Sequence, residues 1–215
     1  MHRKNLKEKL ERYRPDDERE ISDKARMLSF LNSYENCFDR SLSIGHFTGS
    51  CWLENHDGTK FLLTLHKKVK QWLQLGGHAD GDSSLCRVSL KEAREESGLK
   101  NIELLSSEIF DIGVHLIQEY NGIPAHYHYD VRFWLKTTDK NEEIQMSDES
   151  IDLRWFAEAP EDNYDLNRMF KKWKNARRGN HRPHILNLNS SANEKTMDDV
   201  LVQTLGKAKL CGKTS

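Results

Sequence analysis

The sequence lacks an uninterrupted apolar run that approaches the roughly 20 residues needed to cross a lipid bilayer. Its opening segment, MHRKNLKEKLERYR, also lacks the apolar core of a secretory signal peptide. Cysteine is scarce, and its four occurrences form neither a Cys-x-x-Cys pair nor a zinc-site spacing: Cys37, Cys51, Cys86 and Cys211. These absences predict a cytoplasmic protein with reduced thiols and no membrane partner.

The chain also lacks a charge imbalance and internal repeats. Its formal net charge is −1, although 31% of its residues are charged. A balance of this kind gives no reason to expect a nucleic-acid partner or a membrane surface. The length of 215 residues fits one domain with additions better than two full domains.

The most informative stretch is LGGHADGDSSLCRVSLKEAREESGL, residues 75–99, where a glycine-rich loop leads into a helix-forming run. We expect the helix to end at Gly98, because glycine adopts the left-handed conformation at little steric cost. At about 100° per residue, Glu92, Glu95 and Glu96 fall within one sector of that helix. Small or apolar residues on another side can pack on a sheet: Cys86, Leu90, Ala93 and Ser97.

Two interpretations of the three glutamates stay open at this point. Carboxylates so close together repel and raise one another's pKa, and a divalent cation would remove that conflict. Alternatively, the glutamates form a solvated helix face and pair with Lys91 and Arg94, each pair contributing a few tenths of a kcal/mol.

The segment resembles the Nudix box, Gly-x5-Glu-x7-Arg-Glu-U-x-Glu-Glu-x-Gly-U, where U is a bulky apolar residue. Aligned on Gly77 and Gly98, the two patterns match in length without a gap. The sequence departs from the family at two positions. Ser83, which follows Asp82, stands where the family has its first glutamate, and Lys91 stands where the family has an arginine. Lysine keeps the charge but lacks the planar fork that holds a carboxylate with two hydrogen bonds.

The resemblance implies an α/β fold, the Nudix-type α/β/α sandwich with a mixed sheet, over residues 45–178. Helical spacing of apolar residues in positions 6–38 predicts an N-terminal helical extension, assigned to residues 1–44. Residues 179–215 are expected to form a partly irregular tail, with a short amphipathic helix at 198–205.

Local signals predict the other elements of the domain. β-branched and aromatic residues, turn residues and helical spacing place a hairpin at 46–54 and 60–66, a strand with a loop at 101–112, arms of a second hairpin at 115–119 and 125–135, a strand at 152–156, and a helix at 160–178.

The resemblance also implies roles for four glutamates. Glu92, Glu95 and Glu96 match the glutamates of the family's helix and would bind Mg²⁺ or Mn²⁺, and Glu95 and Glu96 are also our catalytic candidates. Glu149 lies in a loop before a tryptophan-bearing strand, where Nudix proteins often have a glutamate that binds a further metal or acts as a base. It is our third catalytic candidate.

Four residues are predicted to contact the substrate. Gly76 and Gly77 form a tight loop that brings the helix to the phosphates. His126 and His128 alternate along a predicted strand and point to the same face as Asp130, where they can contact a phosphate or complete a metal site. The alternative for this row is a polar, solvated sheet face.

These residues predict an enzyme that uses Mg²⁺ to cleave the diphosphate linkage of a nucleoside diphosphate derivative. The expected partner is a small nucleotide-type substrate, and the N-terminal helices can supply a homodimer contact. Ser83 and Lys91 motivate an alternative, a non-catalytic Nudix-type module that binds a nucleotide or metabolite. Isomerisation of an isoprenoid diphosphate would need a cysteine in the pocket, whereas Cys86 is predicted to face the packed side of the helix.

Overall fold

The computed structural model describes residues 3–179 of the chain. Of the tail predicted at residues 179–215, residues 180–215, with the predicted helix at 198–205, lie outside the described residues. In chain order the elements of the described part are α1 (Lys4–Arg12), α2 (Glu18–Ser33), β1 (Gly45–Glu54), β2 (Phe61–His66), β3 (Trp72–Leu73), β4 (Leu75–His78), α3 (Leu85–Ser97), β5 (Ile102–Leu104), β6 (Asp111–Ile117), β7 (His126–Thr137), β8 (Ser150–Phe156) and α4 (Tyr164–Arg177).

The strands form one mixed sheet with β1 at its centre. The strand order is β3-β2-β1-β7-β5, while β4 also pairs with β1, β6 with β7, and β8 with β2. Strands β1 and β7 run parallel, with Gly45 opposite Tyr127 and His46 opposite His128. The remaining pairs are antiparallel, including the predicted hairpin of β1 and β2.

Helices cover both faces of this sheet. Helix α3 approaches β1 so closely that a Cβ atom at Gly49 would lie 2.7 Å from the carbonyl oxygen of Leu85. On the other face, Trp173 of α4 packs against Trp52 and Phe61, with ring centroids 6.1 and 5.6 Å apart. The predicted α/β/α sandwich with a mixed sheet is therefore confirmed.

The N-terminal helices share a hydrophobic core with the sheet. Leu6 of α1 and Met27 of α2 are buried in the same cluster as the residues that face α3. Phe30 of α2 stacks on Tyr129 of β7, with ring centroids 4.0 Å apart. The described helices include none that is long and apolar enough to span a bilayer.

Two helix boundaries show how local chemistry sets the elements. Helix α3 ends at Gly98, which adopts the left-handed conformation with φ 71° as the sequence predicted. Helix α4 begins at Tyr164, later than the predicted residue 160, because the side chain of Asn163 accepts a hydrogen bond from the N–H of Leu166. Pro160 precedes this cap and lies outside the helix.

A buried set of charges, which we call the ionic network, joins β6 and β7 to α2 and α4. Asp111 at its centre accepts hydrogen bonds from Arg132 (2.6 Å), Arg168 (2.8 and 2.9 Å) and Lys172 (2.9 Å). Lys172 also bonds Glu20 of α2. Burial alone would raise the pKa of Asp111, but the hydrogen bond from Arg168 and the charges of Lys172 and Arg132 hold that pKa well below its ordinary value. Each charge here has an opposite partner, as a buried charge requires.

Candidate functional site

The start of the box is a close contact between β4 and α3. The N–H of Gly76 donates a 2.8 Å hydrogen bond to the carboxylate of Glu96. A Cβ atom at Gly76 would lie 2.5 Å from the Cα of Ser50, and one at Gly77 would lie 2.6 Å from the carboxyl carbon of Glu92. Gly76 therefore requires glycine, because a side chain there would push β4 away from β1, whereas a side chain at Gly77 would displace the carboxylate of Glu92.

Glu96 is a buried carboxylate, with only 7% of its surface exposed. Burial raises its pKa to about 8, and the negative charges of Glu92, Glu149 and Glu95 add to the shift, while the Gly76 hydrogen bond opposes it. The helical wheel predicts that all three carboxylates lie on an unburied face. Glu96 is buried instead, because β4 packs against it.

Glu92 and Glu95 share a cation from their own helix. The ammonium of Lys91 lies 3.1 Å from Glu92 and 2.7 Å from Glu95. The side chain of Glu92 is 18% exposed and that of Glu95 is 57% exposed. A positive group therefore already lies between two of the predicted metal ligands.

Glu149 belongs to the same region, although it is distant in sequence. It is an exposed residue immediately before β8, and its backbone carbonyl accepts a 3.0 Å hydrogen bond from the N–H of Lys67. The side chain of Lys67 bonds the carbonyl of Asp148. The loop after β2 thus holds the segment that carries Glu149. We call Glu92, Glu95, Glu96 and Glu149 the box carboxylates.

The acidic residues around Ser83 are paired with arginines. Asp82 accepts two hydrogen bonds of 2.7 Å from Arg87 and a third, of 2.8 Å, from the N–H of Ser84. Asp80, which has φ 48°, pairs with Arg40. These two aspartates therefore fix the loop before α3 instead of replacing the glutamate that the Nudix pattern has at position 83.

A second group of polar side chains lies at the start of β1 and β7. The ligand atoms of His46, His78 and His128 all lie within 4.8 Å of one another. The ring of His126 is 5.2 Å from that of His128, and their Nε2 atoms are 3.3 Å apart. We call these four residues the histidine cluster. In the described part of the chain, no hydrogen bond or ion pair joins the cluster to the box carboxylates.

Three imidazoles of the cluster, those of His46, His78 and His128, have lowered pKa values. Burial lowers the pKa of His46 to about 4 and that of His128 to about 2, and it also lowers the pKa of His78. The charges of neighbouring histidines lower these values further. His46 is 3% exposed, and neither of its ring nitrogens has a hydrogen-bond partner within residues 3–179. A buried polar group without a partner costs about 1–3 kcal/mol.

Asp130 has a different role from the two histidines that share its strand face. Its carboxylate accepts hydrogen bonds from Thr48 (2.8 Å), Ser50 (2.7 Å), Gln74 (3.1 Å) and Arg132 (2.7 Å). These bonds tie β1 and the residue before β4 to β7. Asp130 therefore has its partners within the protein and connects the strands.

The sequence indicated His126 and His128 as candidates but not His46 and His78, which lie beside them in the structure. The alternation along β7 is a local signal, whereas the cluster depends on the parallel pairing of β1 with β7 and the antiparallel pairing of β1 with β4. His46 lies opposite His128 and His78 lies opposite Thr48, two residues further along β1. One available signal was that His46 begins a predicted strand and His78 directly follows Gly76 and Gly77.

The chain matches no model of a protein family and no curated protein. Solved structures similar to it include the Ap4A hydrolase of C. elegans in a binary complex, with 15% identity, a TM-score of 0.48, and coverage of 62% of this chain and 98% of that chain. A NUDIX-family hydrolase from Clostridium perfringens has 27% identity and a TM-score of 0.45 over 60% of this chain and 96% of that one. A UDP-X diphosphatase has 15% identity and a TM-score of 0.48 over 84% of this chain and 94% of that one. Nudix hydrolases are thus among the structures that this chain resembles.

Proposed function

We propose that the protein is a Mg²⁺-dependent hydrolase that cleaves the diphosphate linkage of a nucleoside diphosphate derivative. The observation that carries this proposal is the environment of Glu96, a buried carboxylate near three other carboxylates. Within the described residues, Glu96 forms no ion pair with a lysine or arginine. A divalent cation would favour the ionised form of Glu96, for which residues 3–179 supply no cationic partner.

The donor atoms fit a hard cation. The box carboxylates offer only oxygen, the ligand that Mg²⁺ and Mn²⁺ prefer, and phosphate oxygens and water would complete the coordination. The ammonium of Lys91 already lies between Glu92 and Glu95. The residues that would hold the metal are Glu92, Glu95 and Glu96.

The metal would supply charge stabilisation for the diphosphate and lower the pKa of a water molecule. The protein's own groups orient this chemistry. The Gly76 N–H fixes the carboxylate of Glu96, and the absence of a side chain at Gly77 leaves room for Glu92 beside the loop. Glu149 is exposed on a loop held by Lys67. We assign it the role of the general base, which accepts a proton from the attacking water.

The remaining assignments follow the box resemblance. Phosphate contacts by Gly76, Gly77, His126 and His128 stay predictions, as do the cytoplasmic location and the homodimer. The nucleotide-type substrate is likewise part of the proposal.

A hydrolysis assay tests the proposal. The full chain is incubated with Mg²⁺ and a panel of nucleoside diphosphate derivatives, and released products are quantified. Loss of a group that stabilises transition-state charge typically costs about 100-fold or more. We expect Glu95→Gln and Glu96→Gln each to lose turnover on that scale, whereas Glu103→Gln, at an exposed site on β5, retains it. Absence of turnover by the unaltered protein on every compound, or full activity in both box variants, would contradict the proposal.

A second candidate function is a non-catalytic module that binds a nucleotide or metabolite. It is favoured by Ser83 at the position of the family's first glutamate and by the pairing of Lys91 with both Glu92 and Glu95. Ligand binding by the unaltered protein without turnover of any compound in the panel would support this candidate over the hydrolase.

A further inference from the structure

Three strands that are separated in sequence bring imidazole rings to one place. His46 on β1 lies opposite His128 on β7, and their ring centroids are 4.8 Å apart. His78 at the end of β4 lies 5.0 Å from His46 and 5.1 Å from His128 by the same measure. Because all three sit on paired strands, the sheet itself fixes their backbone positions.

Among the described residues, His46 lacks the internal partners that polar side chains in a core normally have. His46 is almost fully buried, yet neither of its ring nitrogens meets a donor or acceptor within residues 3–179. A neutral imidazole has one N–H and one lone pair, and a buried one normally satisfies both. Asp130, two residues from His128, has its four partners, so the shortage at this place in the sheet belongs to His46.

His126 provides a further indication. Its Nδ1 lies 2.8 Å from the backbone carbonyl of Pro124, so Nδ1 donates in this contact and the neutral tautomer that makes it has its lone pair on Nε2. That lone pair is directed toward His128, with the two Nε2 atoms 3.3 Å apart. A ligating histidine usually donates its other N–H to such a carbonyl. Zinc–nitrogen bonds of about 2.0–2.1 Å in a tetrahedron place two ligand nitrogens roughly 3.3 Å apart.

We propose that His46, His78 and His128 bind one zinc-class transition-metal ion, with His126 as the fourth ligand. The ion lies between β1, β4 and β7. Imidazole nitrogen suits Zn²⁺, Co²⁺ and Ni²⁺, whereas the oxygen-only box carboxylates suit Mg²⁺. This site differs in chemistry from the Mg²⁺ site of the proposed hydrolase, and it does not depend on that site. His78 follows Gly77 directly in β4, so the bound ion also holds the strand that contacts Glu92 and Glu96.

Metal titration of the full chain, prepared without a histidine tag and stripped with a chelator, tests this site without substrate. Co²⁺ is added first and the visible d–d absorption is recorded. Zn²⁺ affinity is then measured by calorimetry in excess Mg²⁺, which occupies carboxylate sites. We expect one equivalent of Co²⁺ with the spectrum of a tetrahedral nitrogen site, and displacement of that ion by Zn²⁺ but not by Mg²⁺.

Matched variants locate the ion. His78→Gln and His128→Gln, both at partly exposed positions, should each weaken Zn²⁺ binding by at least about tenfold, since even altering the groups around metal ligands costs about 10–100-fold. His56→Gln, at the exposed turn between β1 and β2, and Glu95→Gln should leave the Co²⁺ spectrum unchanged.

Absence of d–d bands in the unaltered protein would overturn the proposal whatever the variants do. Equal Zn²⁺ affinity in the unaltered protein and in a folded His78→Gln variant would also overturn it. Neither measurement depends on turnover, so the zinc-class site and the proposed hydrolase can fail independently.

Discussion

Asp111 and Glu96 are both buried carboxylates, but the charged groups around Asp111 are positive and those around Glu96 are negative. In the ionic network, Asp111 is held by Arg132, Arg168 and Lys172, and its pKa lies well below the ordinary value. In the box, burial and the charges of other carboxylates raise the pKa of Glu96 to about 8. A region whose charges are matched inside the protein serves the fold, whereas a region that collects charge of one sign is suited to an external cation.

The largest expected effect lies in the ionic network. Asp111→Asn would leave Arg132, Arg168 and Lys172 facing a neutral amide, and removing one partner of a buried ion pair costs about 3–5 kcal/mol. Urea unfolding should show a loss of that size. Asp162→Asn, at an exposed position, should change the free energy of unfolding by less than about 0.5 kcal/mol. Similar losses in the two variants would remove the contrast between paired and solvated charges.

The same acid-to-amide change in the box, Glu96→Gln, should alter the free energy of unfolding by an amount that depends on pH. The pKa of Glu96 is about 8 in the folded protein against an ordinary value of 4.5. At a pH between these two values, the carboxyl group is therefore protonated in the folded protein and ionised in the unfolded protein. The contribution of Glu96 to the free energy of unfolding therefore falls as pH rises through that window, by up to about 1.4 kcal/mol per pH unit.

Glu96→Gln removes this titration. With a chelator present, the unaltered protein should lose stability relative to the variant as pH rises from about 5 to 8, and urea unfolding at several pH values measures the difference. Parallel pH profiles for the two proteins would show that Glu96 has no raised pKa.

Addition of Mg²⁺ should restore the stability that the unaltered protein loses at high pH through the ionisation of Glu96. A ligand that binds only the folded state at 100 times its dissociation constant adds about 2.7 kcal/mol to the free energy of unfolding. We expect a gain of this kind for the unaltered protein at pH 8 and a much smaller one for Glu96→Gln, with ionic strength matched by NaCl. An equal gain in both proteins would place the bound Mg²⁺ elsewhere.

The smallest expected effect concerns Lys91. Its side chain is 60% exposed, so its pairs with Glu92 and Glu95 contribute only a few tenths of a kcal/mol, and Lys91→Gln should change stability by less than about 0.5 kcal/mol. Since the ammonium competes with a metal for these carboxylates, calorimetry should show tighter Mg²⁺ binding in this variant. Lys91→Arg, which keeps the charge, is the control. Weaker binding in Lys91→Gln would mean that Lys91 orients the ligands instead of competing.

Elements with local signals could be predicted from the sequence. The spacing of small residues and the stop at Gly98 located α3, and the turn near Gly58 located the hairpin of β1 and β2. Helix α4 was placed too early because Pro160 is compatible with a helix start, and the side chain of Asn163 provides the actual cap. Such a choice between neighbouring caps depends on the surrounding fold.

The candidate site could be predicted only in part. The box pattern identified Glu92, Glu95 and Glu96 as a group, but the burial of Glu96 follows from the register that places Gly76 opposite Ser50. Asp111 had no local pattern that could assign its three basic partners. These features depend on the pairing of strands that are distant in sequence. That pairing cannot be predicted from the local periodicity of a single sequence.

The most direct test of the central claim is the pKa of the Glu96 carboxyl group, measured by carbon NMR with and without Mg²⁺. Glu96→Gln assigns its resonance, and Asp111 serves as the internal reference. We expect a Glu96 pKa near 8 without metal that falls below the ordinary value of 4.5 when Mg²⁺ is added, while the Asp111 pKa does not change. A Glu96 pKa that is the same with and without Mg²⁺ would contradict it.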